Sequence, residues 1–299
     1  MGGFRVTLDQ LRIFVAVAEL EHVTRAAGQL NLTQSAVSAA ISALEQRHDM
    51  KLFDRIGRRV ALTQEGRLFL AEARALLIAA QRTEKVLTDI SGLKTGRLAI
   101  AASQTTGNYW LPQRLARFAA LYPGVEIHLT IGNTHDVAER AIAGDIDLGF
   151  VEGAVSDPAL TVTKVDDDEL LVVGAPTLTA TYGGRTAAEI YDAPWVAREQ
   201  GSGTREAFEE AILSFAPRDR ERRIVLELPS NEAVRAAVEA GAGLAVMSSL
   251  VARSSILAGA LTQLPFALPK RPFYVLTHRQ LYRSRATQAM LDLMHDGEH

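Results

Sequence analysis

Gln34, Ser38 and Ser42 stand four residues apart, with Ser35 beside them, in the stretch LTQSAVSAAISALEQ. At helical spacing they form one stripe of short, neutral, hydrogen-bonding groups. A surface helix ordinarily shows charge to water, so this stripe is suited to contact with another polar surface. A glutamine amide can pair with adenine through two hydrogen bonds, and a serine hydroxyl can meet several bases. The same small residues also let helices pack closely, and for this stretch alone that alternative stands. Further along, Arg55, Arg58 and Arg59 surround Gly57 in DRIGRR. Guanidinium groups on a hairpin tip suit phosphates; a solvated basic loop is the competing explanation.

A second constellation lies in the remaining two hundred residues. ASQTTGNYWLP supplies Ser103, Gln104, Thr105 and Thr106, GSGTR supplies Ser202, Gly203 and Thr204, and PSNEAV supplies Asn231. Each stretch precedes a helix. Hydroxyls and free backbone N–H groups at helix N-termini can hold an anion without a full positive charge. Any one such loop is explained as a helix cap; three at strand ends of one domain point to a ligand. Glu152, after the strand IDLGFV, faces the same place and opposes an anion unless it is protonated, pairs with Arg205 or another cation, or meets a donor hydrogen on the ligand. No enzyme motif competes. GSGTR is not a G-x-S-x-G elbow, and no Gly-Lys-Ser/Thr follows to make a phosphate loop. The seven histidines lack ligand spacing, so neither metal nor cofactor is expected.

These residues need elements to place them. Thr7 and Gln10 have capping-box spacing, and Leu11, Phe14, Val15 and Ala18 follow as one helical face. Thr24 is the expected cap of a short second helix, and Thr33 caps a third whose Val37, Ile41 and Leu44 form the buried seam. Two short helices joined by a tight turn, then a basic hairpin, predict a winged helix-turn-helix with its second helix in the major groove. From Thr63 a long helix runs to about Ser91. Its Phe69, Ala73, Leu76, Ala80 and Leu87 keep heptad spacing, which predicts a dimer seam roughly 40 Å long; packing on its own domain is the alternative. After SGLKTG, strands and helices alternate, which predicts an α/β domain with mostly parallel sheets. The pattern repeats on either side of Asp166–Glu169, which suggests two similar lobes with crossings near residues 166 and 268.

Composition agrees. The chain has 299 residues, net charge −3 and no cysteine. A basic patch for nucleic acid must therefore be local, and thiol chemistry is excluded. No run reaches membrane-spanning length and no apolar leader opens the chain, so a soluble, cytoplasmic protein is expected.

Over about forty residues, from Ala26 to Gly66, the chain resembles the LysR-type transcriptional regulators. The match runs through Ala26-Ala27, Leu30, Thr33-Gln34, Ala36-Val37-Ser38, Ile41, Leu44-Glu45, Leu52-Phe53, Arg55, Arg58, Leu62-Thr63 and Gly66. Ala39 and Ala40 depart from it, where longer polar residues are usual, and His48-Asp49 replaces the usual Leu-Gly. The resemblance implies a winged helix-turn-helix over residues 1–63 that binds double-stranded DNA. It implies a linker helix over 64–91 that pairs antiparallel in a homodimer or homotetramer. Residues 96–299 then form a periplasmic-binding-protein-like effector domain, lobe I about 96–166 and 269–299, lobe II about 167–268. On this reading Thr33, Gln34, Ser35, Ser38, Ser42, Arg55, Arg58 and Arg59 contact DNA. A looser likeness of ASQTTGNYWLP, IGNTHDVAERAIAGDIDLGFVEG and GSGTR to the sulfur- and carbon-assimilation branch, especially sulfite-reductase regulators, suggests a small oxyanion or a sulfur or carbon metabolite as effector. The rival from another class is a cytosolic solute-binding protein or enzyme whose N-terminal helices only mediate assembly.

Overall fold

The computed structural model describes residues 6–57, 59–90, 96–213 and 223–295. The chain divides into two compact units after Leu87.

In the first unit, α1 (Leu8–Leu20), α2 (Val23–Gln29) and α3 (Gln34–His48) precede a hairpin of β1 (Phe53–Ile56) and β2 (Arg59–Leu62), then the long α4 (Gln64–Ile90). The expected Thr7–Gln10 capping box is present. α2 starts earlier than expected. His22, not Thr24, is its N-cap, and it makes no side-chain cap bond, so hydrophobic packing of Ala26 and Ala27 must hold this short helix. The core is aromatic at its centre. The Phe14 ring is fully buried, 5.2 Å from Phe53 and 4.8 Å from Phe69, which joins α1, the hairpin and α4 in one cluster.

In the second unit the first lobe begins with β3 (Gly96–Ser103), a π-helical turn at Thr106–Trp110, α5 (Leu111–Leu121), β4 (Val125–Gly132), α6 (Thr134–Ala143), β5 (Leu148–Glu152) and β6 (Leu160–Asp168). The chain crosses at Glu169 into β7 (Leu170–Gly174), α7 (Pro176–Tyr182), α8 (Ala187–Ile190), β8 (Trp195–Arg198), α9 (Gly203–Leu213), β9 (Ile224–Leu228), α10 (Asn231–Glu239), β10 (Ala245–Ser248), α11 (Ser249–Leu257) and β11 (Thr262–Gln263). It returns as β12 (Arg271–His278) and closes with α12 (Arg285–His295).

The first lobe's sheet has order β4-β3-β5-β12-β6. β3 runs parallel to β4 and β5, while β12 is antiparallel to β5 and β6. In the second lobe β8-β9 is joined to β10-β7-β11 by the Trp195–Leu244 bridge. That gives β9-β8-β10-β7-β11, the first lobe's pattern repeated, with the crossing strand antiparallel in each. The sheets are therefore mixed rather than mostly parallel. The two crossings meet where Arg271, the first residue of β12, pairs in register with Asp168, the last of β6. The first crossing thus falls a little beyond the expected residue 166. Helices α7 and α8 had no counterpart in the sequence reading.

Candidate functional site

On α3 the apolar seam and the polar stripe face opposite ways. Val37, Ile41 and Leu44 are buried, while Gln34, Ser35 and Ser42 are exposed and Ser38 is half-buried. Thr33 caps the helix by accepting from the Ala36 amide at 3.2 Å, and its hydroxyl lies 3.0 Å from that of Ser35. Arg55 and Arg59 are exposed on the hairpin, where Gly57 takes a φ of 63° that permits the tight turn. Arg58 lies outside the described residues.

Glu45 is the late acidic residue of α3. It is buried, and its Oε1 accepts from the amides of Leu52 at 2.9 Å and Phe53 at 3.2 Å, with Lys51 Nζ 3.0 Å from Oε2. It ties α3 to the start of the hairpin. Burial pushes its carboxyl up, but the amides and the lysine outweigh burial and hold it below the ordinary range.

The heptad seam of α4 is split. Phe69 and Ala73 pack into the unit's own core. Leu76 is 56% exposed, as is the neighbouring Leu68 at 69%, while Ala80 is half-buried. The side chain of Leu87 lies outside the described residues.

In the second unit the three hydroxyl-bearing loops do converge, one lobe against the other. Ser103, Thr105, Thr106, Glu152, Ser202, Thr204 and Asn231 are all under 5% exposed. Several of their hydrogen bonds run to each other and the rest to the surrounding protein. Ser103 Oγ donates to the Glu152 carboxylate, and Thr106 Oγ1 donates to the Phe150 carbonyl at 2.9 Å. Thr134 donates to the Glu152 carbonyl at 2.7 Å. Gly203 passes so close to that carbonyl that a Cβ there would overlap it. Thr105 Oγ1 accepts from Asn231 Nδ2 at 3.1 Å, and Ser202 Oγ accepts from the Thr204 amide at 3.2 Å. Thr204 Oγ1 accepts from Arg271 Nη1 at 3.1 Å.

Gln104 and Asn231, expected as ligand contacts, are largely spent on closing the cleft. Gln104 donates to the Pro229 carbonyl and accepts from the Asn231 amide, both at 2.9 Å. Asn231 Oδ1 accepts from Arg198 Nη1 at 2.6 Å. Tyr109 adds a third tie, to Glu232 at 2.9 Å; burial first, then Glu232, pushes its hydroxyl up to about 12.

Arg205 is not the partner of Glu152. It turns to Glu209 at 2.8 Å, Glu227 at 2.7 Å and the Arg198 carbonyl. The nearby cation is Arg271, whose Nη1 lies 3.9 Å from Glu152 Oε1. Sequence reasoning missed both Arg271 and its main partner, Asp168, to which Nη2 donates. Ser248 also donates to Asp168, at 2.6 Å. Trp110 and Trp195 are buried in the cores of the two lobes. Among the described residues no cluster could hold a metal ion, and no helix is long and apolar enough to cross a membrane.

Comparison with known proteins agrees with this division. Residues 8–67 match the family described as bacterial regulatory helix-turn-helix protein, lysR family, and residues 91–298 match the LysR substrate binding domain. The chain is 36% identical over 289 residues to the uncharacterized HTH-type transcriptional regulator YeiE of Escherichia coli (strain K12), covering 96% of each chain. It is 32% identical over 299 residues to a probable RuBisCO transcriptional regulator of Synechocystis, covering 97% of this chain and 86% of that one. Full-length OxyR from Pseudomonas aeruginosa shares the fold with a TM-score of 0.70 at 21% identity, over 98% of this chain and 95% of that one. CbnR complexed with its target DNA does so with a TM-score of 0.63 at 22% identity, over 97% and 99%.

Proposed function

Because the chain belongs to the LysR family of transcriptional regulators, DNA-binding proteins with a C-terminal effector-binding domain, we propose how it reads DNA and what class of effector it takes. Gln34, Ser35 and Ser38 read base edges, with Ser42 further along the stripe. Arg55, Arg58 and Arg59 supply phosphate contacts from the wing, and Thr33 sets the start of the reading helix. The protein works in the cytoplasm as a homodimer or homotetramer joined through the exposed side of α4.

The effector is a small oxyanion bound between the lobes, held by hydroxyls of Thr105 on one side and Ser202 and Thr204 on the other, while Ser103 and Thr106, whose hydrogens go to Glu152 and the Phe150 carbonyl, line the site. One observation carries this reading. The oxygens of Thr105 and Thr204 are engaged as acceptors, so each hydroxyl keeps its hydrogen to donate to a ligand. Glu152 stands against the anion and sets its affinity. The relatives named for RuBisCO regulation support a carbon metabolite as the source, and the loop likeness to sulfite-reductase regulators supports a sulfur one. An anion that favours one lobe arrangement shifts that equilibrium by its differential affinity, and the linker helix passes the change to the DNA-binding heads.

The test is isothermal titration of sulfite, sulfate, phosphate and small carboxylates into the wild type, Thr204→Ala and Glu152→Gln. Binding weakens in the first variant and strengthens in the second. If the wild type binds none of them at roughly millimolar concentration, the effector is a cation or a hydrogen-bond donor and Glu152 is its contact.

A further inference from the structure

The hinge and the cleft share one guanidinium. Arg271 opens β12 at the second crossing, and its register partner Asp168 ends β6 at the first. Its side chain is 5% exposed. One terminal nitrogen goes to Asp168 and the other to Thr204 Oγ1 at 3.1 Å, with Glu152 Oε1 at 3.9 Å. Its Nε is buried with no hydrogen-bond partner among the described residues. A guanidinium carries five N–H donors, and a buried one left unfilled calls for an explanation. Among the described residues the other two buried arginines are committed. Arg198 holds Glu199 through two bonds of 2.8 and 2.9 Å as well as Asn231, and Arg205 holds Glu209 and Glu227.

We infer that Arg271 is the positive charge of the effector site, and that an anion in the cleft competes with Asp168 for it. This rests on the anion reading above. The hydroxyls around the cleft give direction but no charge, and carboxylates already surround the one guanidinium, Asp168 and Glu152 nearest and Glu206 within electrostatic reach. An oxyanion beside Thr204 meets the hydrogens of Arg271 that Asp168 does not fill. Charge-assisted, bidentate contacts are the strongest polar contacts available there, so occupancy draws the guanidinium from the carboxylate that ties the two crossings together. Binding in the cleft is thereby felt at the hinge, and the reverse must hold by linkage. The ligand class is a compact anion with at least two oxygens, one for hydroxyl donors and one for the guanidinium.

The experiment titrates sodium sulfite, sodium sulfate and inorganic phosphate into the full-length wild type, Asp168→Asn and Arg271→Gln. Asp168→Asn removes the competing charge but keeps an oxygen for Ser248, so the best-bound anion binds about tenfold tighter. Arg271→Gln abolishes binding. Small-angle scattering adds a reading of the hinge: in Asp168→Asn the radius of gyration responds less to saturating anion than in the wild type. If the wild type binds an anion and Arg271→Gln binds it equally well, Arg271 is not the effector's charge, while the anion reading survives. If Asp168→Asn binds no tighter, the competition is wrong; this arm decides alone should Arg271→Gln show no cooperative melting. If the wild type binds none of the three, the anion reading falls and this inference with it.

Discussion

Glu45 on α3 accepts from the backbone amide of Leu52, the residue before the hairpin, at 2.9 Å. One buried carboxylate thus fixes where the hairpin starts relative to the helix that carries Gln34. Its carboxyl sits lower than in the unfolded chain, so the ionised form stabilises the fold above about pH 4.3, and that contribution is lost as pH falls through the lowered folded value. Glu45→Gln keeps an acceptor for the amides but loses the attraction to Lys51. It should cost roughly 1–3 kcal/mol near neutral pH, and the gap to the wild type should close as pH falls through the lowered folded value. Melting curves across that range decide it, and a gap that widens on acidification would contradict the assignment.

Base and phosphate contacts separate by their salt dependence. Gln34→Ala should cost about 1–3 kcal/mol at one position of each half-site and relax the preference there. Arg55→Ala and Arg59→Ala should weaken binding to all sequences alike, and at least one should lower the salt slope by about one per head. Gel shifts on a duplex selected from a random pool, and on scrambled DNA, over a range of salt measure both. If Gln34→Ala weakens both duplexes equally, the base-reading role of this stripe is wrong; unchanged slopes in both arginine variants take those residues out of the interface.

The linker helix gives a cleaner test than its heptads promised. Phe69 and Ala73 hold the head together, so replacing them confuses folding with assembly. Leu76 is exposed within the protomer. Leu76→Glu should therefore leave the head's melting within about 0.5 kcal/mol of the wild type, while a dimer seam would have to bury an unpaired carboxylate at a cost of several kcal/mol. Light scattering should show the assembly dissociating. A full dimer in this variant places the contact elsewhere.

How far the chain was legible depended on how local each signal was. Thr7, Thr33 and Gly57 act on their own neighbours, and spacing alone located them. The role of Glu45 was not legible because its partners, Leu52 and Phe53, belong to the next element. The run Asp166–Asp168 looked like a plain crossing. In the fold Asp166 takes Trp110 at 2.7 Å and Arg114 at 3.1 Å, Asp167 takes Lys164 at 2.9 Å, and Asp168 takes Arg271. Arg271 lies more than a hundred residues from Asp168, and no periodicity links them; only the return of the chain as β12 does. The same holds for the cleft. The hydroxyl loops were visible as helix starts, but whether each hydroxyl faced a ligand or the opposite lobe depended on tertiary pairing.

Gln104 carries the last prediction. Its amide clamps the second lobe by donating to Pro229 and accepting from the Asn231 backbone, so it acts on the closed arrangement rather than on the ligand. Net contributions of about 0.5–1.5 kcal/mol per bond make the pair worth roughly a tenfold change in the open-to-closed ratio. Gln104→Ala should then raise the radius of gyration of the unliganded protein and speed exchange of the Asn231 amide. Anion affinity should fall by the lost fraction of closed protein. Gln104→Glu keeps an acceptor for that amide but loses the donor to Pro229, so it should fall between the two. Amide exchange followed by mass spectrometry over α10 measures this without any effector present. If the N-terminus of α10 exchanges at the wild-type rate in Gln104→Ala, other ties such as Tyr109 to Glu232 hold the lobes and Gln104 returns to the list of direct ligand contacts.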